Sequence, residues 1–470
     1  MKREFTRLEK ITFGINLIMI IFASLTMFIT SEFAWFKLAF PITLVQFVTY
    51  IYSITSLTGK LITFPNVFIG LCYIFNFGHL PIKFFGAEFG KNVLYPLWYV
   101  DFKIYKKAFL FTVIAMFFVF AGMYFSMLWR KQNNKRVSKA GKLFACADRE
   151  AIKKIGYVCF AIGIIPNLFI NITSIYLYFK GGYINTYALQ LPDFVKIIAA
   201  FLDFAFFALI IGYSDDKKVS TVIFLAATAY KGLTMISGGR GEAITVIIGM
   251  FIIWENLVGK LPLKKIIMIA LIGYAVLIVI NFIATARNIV NISPAKLWKA
   301  FVYCISNNQI TLALSEFGST FATTCFTIRS HLGPVFGLNY ILPIVCVFPN
   351  IGGFNSRIVE LMIFTGSIYT FRQPIGGSFI AEMFYSFSWA GCIIAVVFGI
   401  LLGNVSYNIT ASEEKKNYFE YLIYGYTIPS LLFWIRGYFG ALYRILIWHI
   451  GFAVLMLYFM KKRQCRGENR

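Results

Sequence analysis

Three short stretches of this sequence set arginine among glycines: Ser237-Gly238-Gly239-Arg240-Gly241-Glu242, Arg372-Gln373-Pro374-Ile375-Gly376-Gly377-Ser378 and Arg436-Gly437-Tyr438-Phe439-Gly440. A guanidinium is a planar fork that grips phosphate or carboxylate through two hydrogen bonds, whereas a lysine ammonium acts as a point charge. Glycine allows an oxyanion to reach main-chain N–H groups that a side chain would shield. Where such a stretch opens a helix, the unpaired amides and the positive end of the helix dipole add to the attraction. The chemistry on offer is therefore the holding of an anion. Arg287, Arg329, Arg357 and Arg444 lie in related connections, and Arg329 and Arg444 suit interfacial snorkelling as well as ligand contact.

Carboxylates that could accept a proton are few. Glu316 lies in Leu314-Ser315-Glu316-Phe317-Gly318-Ser319-Thr320, and Glu382 lies one turn into the helix expected after Gly376-Gly377-Ser378. Either could deprotonate an attacking hydroxyl, and either could instead pair with an arginine. His331 reads as a solvated loop residue before it reads as a base, and His79 and His449 read as structural. Lys231 lies within an apolar run, where it either joins the anion site or snorkels to the surface. No Asp/His metal constellation accompanies these arginines, so guanidinium groups would have to neutralise an anionic leaving group themselves.

These residues must be positioned by membrane helices. With 59% hydrophobic and 14% charged residues and a mean hydropathy of +0.74, a 470-residue chain needs a bilayer as its solvent. The sequence predicts an all-α polytopic integral membrane protein with about twelve spans, near 11–31, 38–58, 65–82, 108–128, 155–179, 194–213, 219–236, 243–258, 266–284, 376–400, 418–435 and 443–460. Met1–Lys10 is basic and leads into the first run, which reads as a signal anchor. The eight cysteines show no metal-ligand spacing and read as buried thiols, with a Cys304–Cys325 bridge as an alternative.

The connections give the orientation. Of the 44 lysines and arginines, 26 fall in alternate connections and the two termini, led by the stretch 130–154. Loops rich in Lys and Arg stay cytoplasmic, so both termini are expected inside. The net charge of +24 is then mostly a topology signal, and nucleic acid is a poor explanation for it. The three Gly/Arg stretches fall outside, each ahead of a helix running inward. Residues 285–375 are also outside and too long for an ordinary inter-helix loop, with helical potential over 294–329 and an apolar patch at 338–349. The chain thus divides into an N-terminal bundle of about nine spans (1–284), a large extracytoplasmic loop (285–375) and about three C-terminal spans (376–470).

The stretches 237–242, 315–320 and 372–382, together with Arg436-Gly437, resemble the Wzy-type O-antigen polysaccharide polymerases, as does the large outer loop late in the chain. The resemblance implies a GT-C-like glycosyltransferase of the bacterial inner or plasma membrane that needs no nucleotide sugar, metal or other cofactor. Its substrates would be oligosaccharide repeat units on undecaprenyl pyrophosphate, with the growing chain as donor and the pyrophosphate-lipid as leaving group. Arg240, Arg287, Arg372 and Arg436 would hold the pyrophosphates, Arg357 less strongly, and Glu316 or Glu382 would be the base. A flippase and a chain-length regulator would be partner proteins. The related O-antigen ligases use a loop histidine, and His331 lacks a match to their motif. The other reading is a transporter of lipid-linked oligosaccharide. That reading calls for charges along an inner cavity and for two similar halves, neither of which the sequence displays.

Overall fold

The structure is a computed structural model and describes residues 7–89, 94–133, 149–181, 183–186, 191–235, 240–259, 293–306, 309–330, 334–348 and 376–467, with a few single positions between 189 and 289. Its regular elements are helices: α1 (Arg7–Leu25), α2 (Glu32–Thr58), α3 (Phe64–Phe77), α4 (Phe102–Gln132), α5 (Arg149–Gly181), α6 (Asp193–Gly212), α7 (Lys217–Thr234) and α8 (Arg240–Val258). The large loop contributes α9 (Pro294–Ser306), α10 (Gln309–Gly318) and α11 (Phe321–Ser330). The C-terminal part adds α12 (Phe379–Phe387), α13 (Gly391–Glu414), α14 (Tyr418–Trp434) and α15 (Gly451–Gly467).

Polar residues start these helices where the apolar runs begin. Ser31 accepts from Ala34 N, Asp216 from Lys218 N and Val219 N, Asn417 from Glu420 N, and Ser378 from Ala381 N. Each such cap stabilises its helix by about 1 kcal/mol. Gly59 ends α2 in the left-handed conformation, at φ 74°.

Among the described residues, eight helical stretches are long and apolar enough to cross a membrane: Glu9–Phe28, Glu32–Thr58, Phe102–Gln132, Arg149–Lys180, Phe194–Gly212, Arg240–Val258, Phe379–Glu414 and Ala441–Met460. Four of the twelve expected runs are not among these eight. The run at 65–82 is interrupted at Gly78, leaving the 14-residue α3. The run at 376–400 keeps its place among the eight although it breaks at Ser388, whose φ is 51°, so that a nine-residue helix precedes the long α13. The runs at 219–236 and 418–435 form helices of 18 and 17 residues, and most of 266–284 lies outside the described residues.

α4 is the central helix. Its apolar span is 78% buried, against 11% for that of α5 at the periphery. It lies against α13 at backbone contact: a Cβ on Gly122 would sit 2.2 Å from Val396 O, and one on Gly399 would sit 2.2 Å from Val119 O. In lipid, where apolar burial gives helices little reason to associate, close approach through small residues is a main source of packing energy. Ser126 Oγ donates to Asn404 Oδ1 across the same seam at 2.7 Å.

The two ends of the bundle differ in chemistry. At one end Lys60 bridges Glu413 (3.0 Å) and Asn256 (3.0 Å), Lys131 donates to Leu57 O, and Arg149 lies over Tyr418. These groups belong to the lysine-rich connections. At the other end the loop helices α10 and α11 pack on α3 and α4, with Gly318 and Gly78 meeting so closely that a Cβ on Gly318 would lie 2.7 Å from His79 N. Cys304 and Cys325, the pair weighed for a bridge, are both free and buried.

Candidate anion-binding site

Arg240 is the first residue of α8 and is only 9% exposed. Its Nη2 donates to Glu316 Oε1 at 2.8 Å, which joins α8 to the last turn of the loop helix α10. Burying a guanidinium at a helix start without a counter-charge would cost several kcal/mol, so the carboxylate is part of what keeps it there.

The other two Gly/Arg stretches converge on the same end. Gly376 lies beside Arg436, where a Cβ would be 3.6 Å from the Arg436 Nε. Gly377 and Gly437 meet back to back, and a Cβ on Gly377 would be 2.1 Å from Gly437 O. Phe379 N donates to Ile435 O, and Thr323 Oγ1 of α11 donates to Gly376 O at 2.8 Å, so the start of α12 is fixed on both sides. The Arg436 guanidinium lies 6.0 Å from the ring centre of Phe75, and that ring contacts Phe317 with centroids 5.3 Å apart. Phe317 follows Glu316 directly. Gly241, next to Arg240, faces the ring of Phe433 from α14. Phe75 and Phe317 thus link Arg436 to the residue beside Glu316, and Phe433 lies between Gly241 and Gly437.

Glu382 has a different setting. It is 2% exposed, and its two oxygens are surrounded by donors. Trp434 Nε1 donates to Oε2 at 2.6 Å, Phe439 N lies 3.2 Å and 3.4 Å from the two oxygens, and Asn339 Nδ2 donates to Oε1 at 3.3 Å.

Of the residues singled out from the sequence, Arg240 and Glu316 pair, and Arg436 is joined to them through Phe75 and Phe317. Arg287, Arg357, Arg372, His331 and Ser237-Gly238-Gly239 lie outside the described residues. Arg329 Nη1 donates to Tyr99 O at 2.5 Å, tying α11 to the chain just before α4. His449 is buried between Tyr426 OH (2.9 Å) and Ile197 O (3.1 Å), and His79 is buried with its ring stacked on Phe321. Lys231 is buried and does not snorkel to the surface. It forms an ion pair with Asp203 of α6 at 2.5 Å. Asp203 had a sequence signal, as a lone carboxylate in the middle of the apolar run 194–213. Asn339 and Trp434 carried none, because their part depends on a carboxylate 43 and 52 residues away.

Fold and site together define a multi-pass helical membrane protein with Arg240 and Arg436 at the end of its bundle where the loop helices pack. The family follows from comparison with known sequences. The model of the O-antigen polysaccharide polymerase Wzy family matches residues 12–466, nearly the whole chain, and the chain belongs to that family. Its activity in general terms is accordingly O-antigen polymerisation. No curated protein and no solved structure matches the chain.

Proposed function

We propose that this chain joins undecaprenyl-pyrophosphate-linked oligosaccharide repeat units into surface polysaccharide at the outer face of the bacterial inner or plasma membrane, with both of its termini in the cytoplasm. The supporting observation is the Arg240–Glu316 ion pair, linked through Phe317 and Phe75 to Arg436, at the end of the bundle opposite the lysine-rich connections. In this reading Arg240 and Arg436 hold the pyrophosphate of a lipid-linked chain. Arg287, Arg372 and Arg357 are further ligands from stretches outside the described residues.

The reaction is glycosyl transfer of the GT-C type. A hydroxyl oxygen of the acceptor unit bonds to the anomeric carbon of the donor, whose bond to the pyrophosphate oxygen breaks. The leaving lipid pyrophosphate takes the bonding electrons, and the acceptor proton needs a base. Arginines placed before the reaction at the phosphate oxygens stabilise the charge that develops there.

Glu316 suits the base better than Glu382. It is a quarter exposed, whereas the oxygens of Glu382 face three donors and are closed to a substrate hydroxyl. The ion pair gives Glu316 a second part. It holds the place of the anion on Arg240, and an arriving pyrophosphate would displace it and free it to accept the proton. Base and leaving-group clamp would then become ready in a single binding event.

The test is purified protein in lipid nanodiscs supplied with lipid-linked repeat units, with glycan ladders as readout. Arg240→Ala and Arg436→Ala should abolish laddering while the protein still inserts. Glu316→Gln should slow it by about 10²–10⁴-fold, the usual contribution of a general base. Wild-type rates in both arginine variants would remove the clamp, and a wild-type rate in Glu316→Gln would remove the base.

A further inference from the structure

The turn that carries Arg436 is held at both ends by a single buried side chain. Trp434, two residues before the arginine, donates its indole N–H to Glu382 Oε2 at 2.6 Å. Phe439, three residues after it, donates its main-chain N–H to the same carboxylate, at 3.2 Å to Oε2 and 3.4 Å to Oε1. Asn339, from the large loop, supplies the third donor. The Ser386 hydroxyl lies 2.7 Å from Asn339 Oδ1 and 2.6 Å from Glu382 O, tying the Asn339 side chain to α12. Trp434 is also enclosed by the rings of Phe379, Phe398 and Phe439, at centroid distances of 4.5, 5.2 and 4.8 Å.

We infer that Glu382 is a positioning residue. Its carboxylate clasps the 434–439 turn and so sets the place of Arg436 against Gly376 and the start of α12. This rests on the reading of Arg436 as a phosphate ligand. The site calls for acceptor oxygens, because the Trp434 indole N–H and the Phe439 main-chain N–H can only donate. Glutamine keeps one oxygen for these two N–H groups but loses the negative charge that strengthens both bonds. The neighbouring contacts leave the turn little freedom to adjust, since Gly377 and Gly437 are already at backbone contact.

The inference is testable apart from polymerisation, by titrating inorganic pyrophosphate into the nanodisc-embedded protein and following its binding by calorimetry. Four proteins are compared: wild type, Glu382→Gln, Arg436→Ala and the double variant. Glu382→Gln should weaken binding about tenfold, and the double variant should bind no worse than Arg436→Ala alone, because both changes remove one interaction. Amide exchange should rise at 435–440 in Glu382→Gln and stay at the wild-type level in α4. Trp434→Phe removes one donor but leaves the carboxylate in place, and should give a smaller loss in the same direction. It serves in place of Glu382→Gln if that variant does not fold.

Wild-type affinity in Glu382→Gln, or losses that multiply in the double variant, would overturn the inference while leaving the polymerase reading intact. A wild-type protein that binds pyrophosphate but forms no ladder would sink the polymerase reading alone. A wild-type protein that does not bind pyrophosphate would sink this inference together with the phosphate-clamp part of that reading.

Discussion

Replacing Gly377 by alanine would place a methyl carbon 2.1 Å from the carbonyl oxygen of Gly437. Carbon and oxygen do not approach closer than about 3 Å without bonding, so the two backbone segments must separate by roughly 1 Å. Neither has slack: Phe379 N is bonded to Ile435 O on one side, and Thr323 holds Gly376 O on the other. The displacement would therefore pass to Arg436, the residue before Gly437. An error of about 1 Å in a group that positions a reacting substrate costs on the order of 10²-fold in rate. Gly376→Ala is the internal control. Its Cβ would meet Arg436 Nε at 3.6 Å, an ordinary van der Waals distance, in the same segment and with the same gain in side-chain bulk. In the ladder assay, normalised to folded protein, Gly377→Ala should lose about a hundredfold and Gly376→Ala at most a few-fold. Equal losses in the two variants, or full activity in Gly377→Ala, would refute the link from backbone contact to arginine position.

Two other expectations concern the bundle around the site. Lys231→Met leaves Asp203 buried without its counter-charge and should lower stability by about 3–5 kcal/mol, while the double variant Lys231→Met/Asp203→Leu should recover most of it. Unfolding midpoints in detergent check this, and a double variant no more stable than the single one would count against the pair. For orientation, cysteines introduced at Ser293 and Lys415, in a background without reactive cysteine, should label from outside and only after permeabilisation, respectively. Labelling in the reverse pattern would place the arginines on the cytosolic side and end the proposed function.

Much of the architecture could be read from residue type and period. The apolar runs predicted helices at nearly every described span, because in a bilayer each main-chain polar group must find its partner within its own segment. The basic connections meet where charge alone sorts them, as Lys60, Lys131 and Arg149 illustrate. Interruptions were harder to read. Gly78 and Ser388 look like members of continuous apolar runs, and the breaks there accompany neighbours distant in sequence. Gly78 meets Leu314 and Gly318, and the chain just before Ser388 holds the loop through bonds from Val335 N to Tyr385 O and from Phe336 N to Ser386 O.

The candidate site divides in the same way. Sequence by itself identified glycine beside arginine ahead of helix starts, since that pairing offers an anion both a guanidinium and open main-chain N–H groups. Only the tertiary structure decided which carboxylate met which arginine. Glu316 and Glu382 look alike in sequence, each a lone acid in a mostly apolar helix. Folding set one on Arg240 at the open end of the bundle and enclosed the other among Trp434, Phe439 and Asn339. The physical reason is that a carboxylate's role depends on the donors around it, and those donors come from segments 43 to 76 residues away.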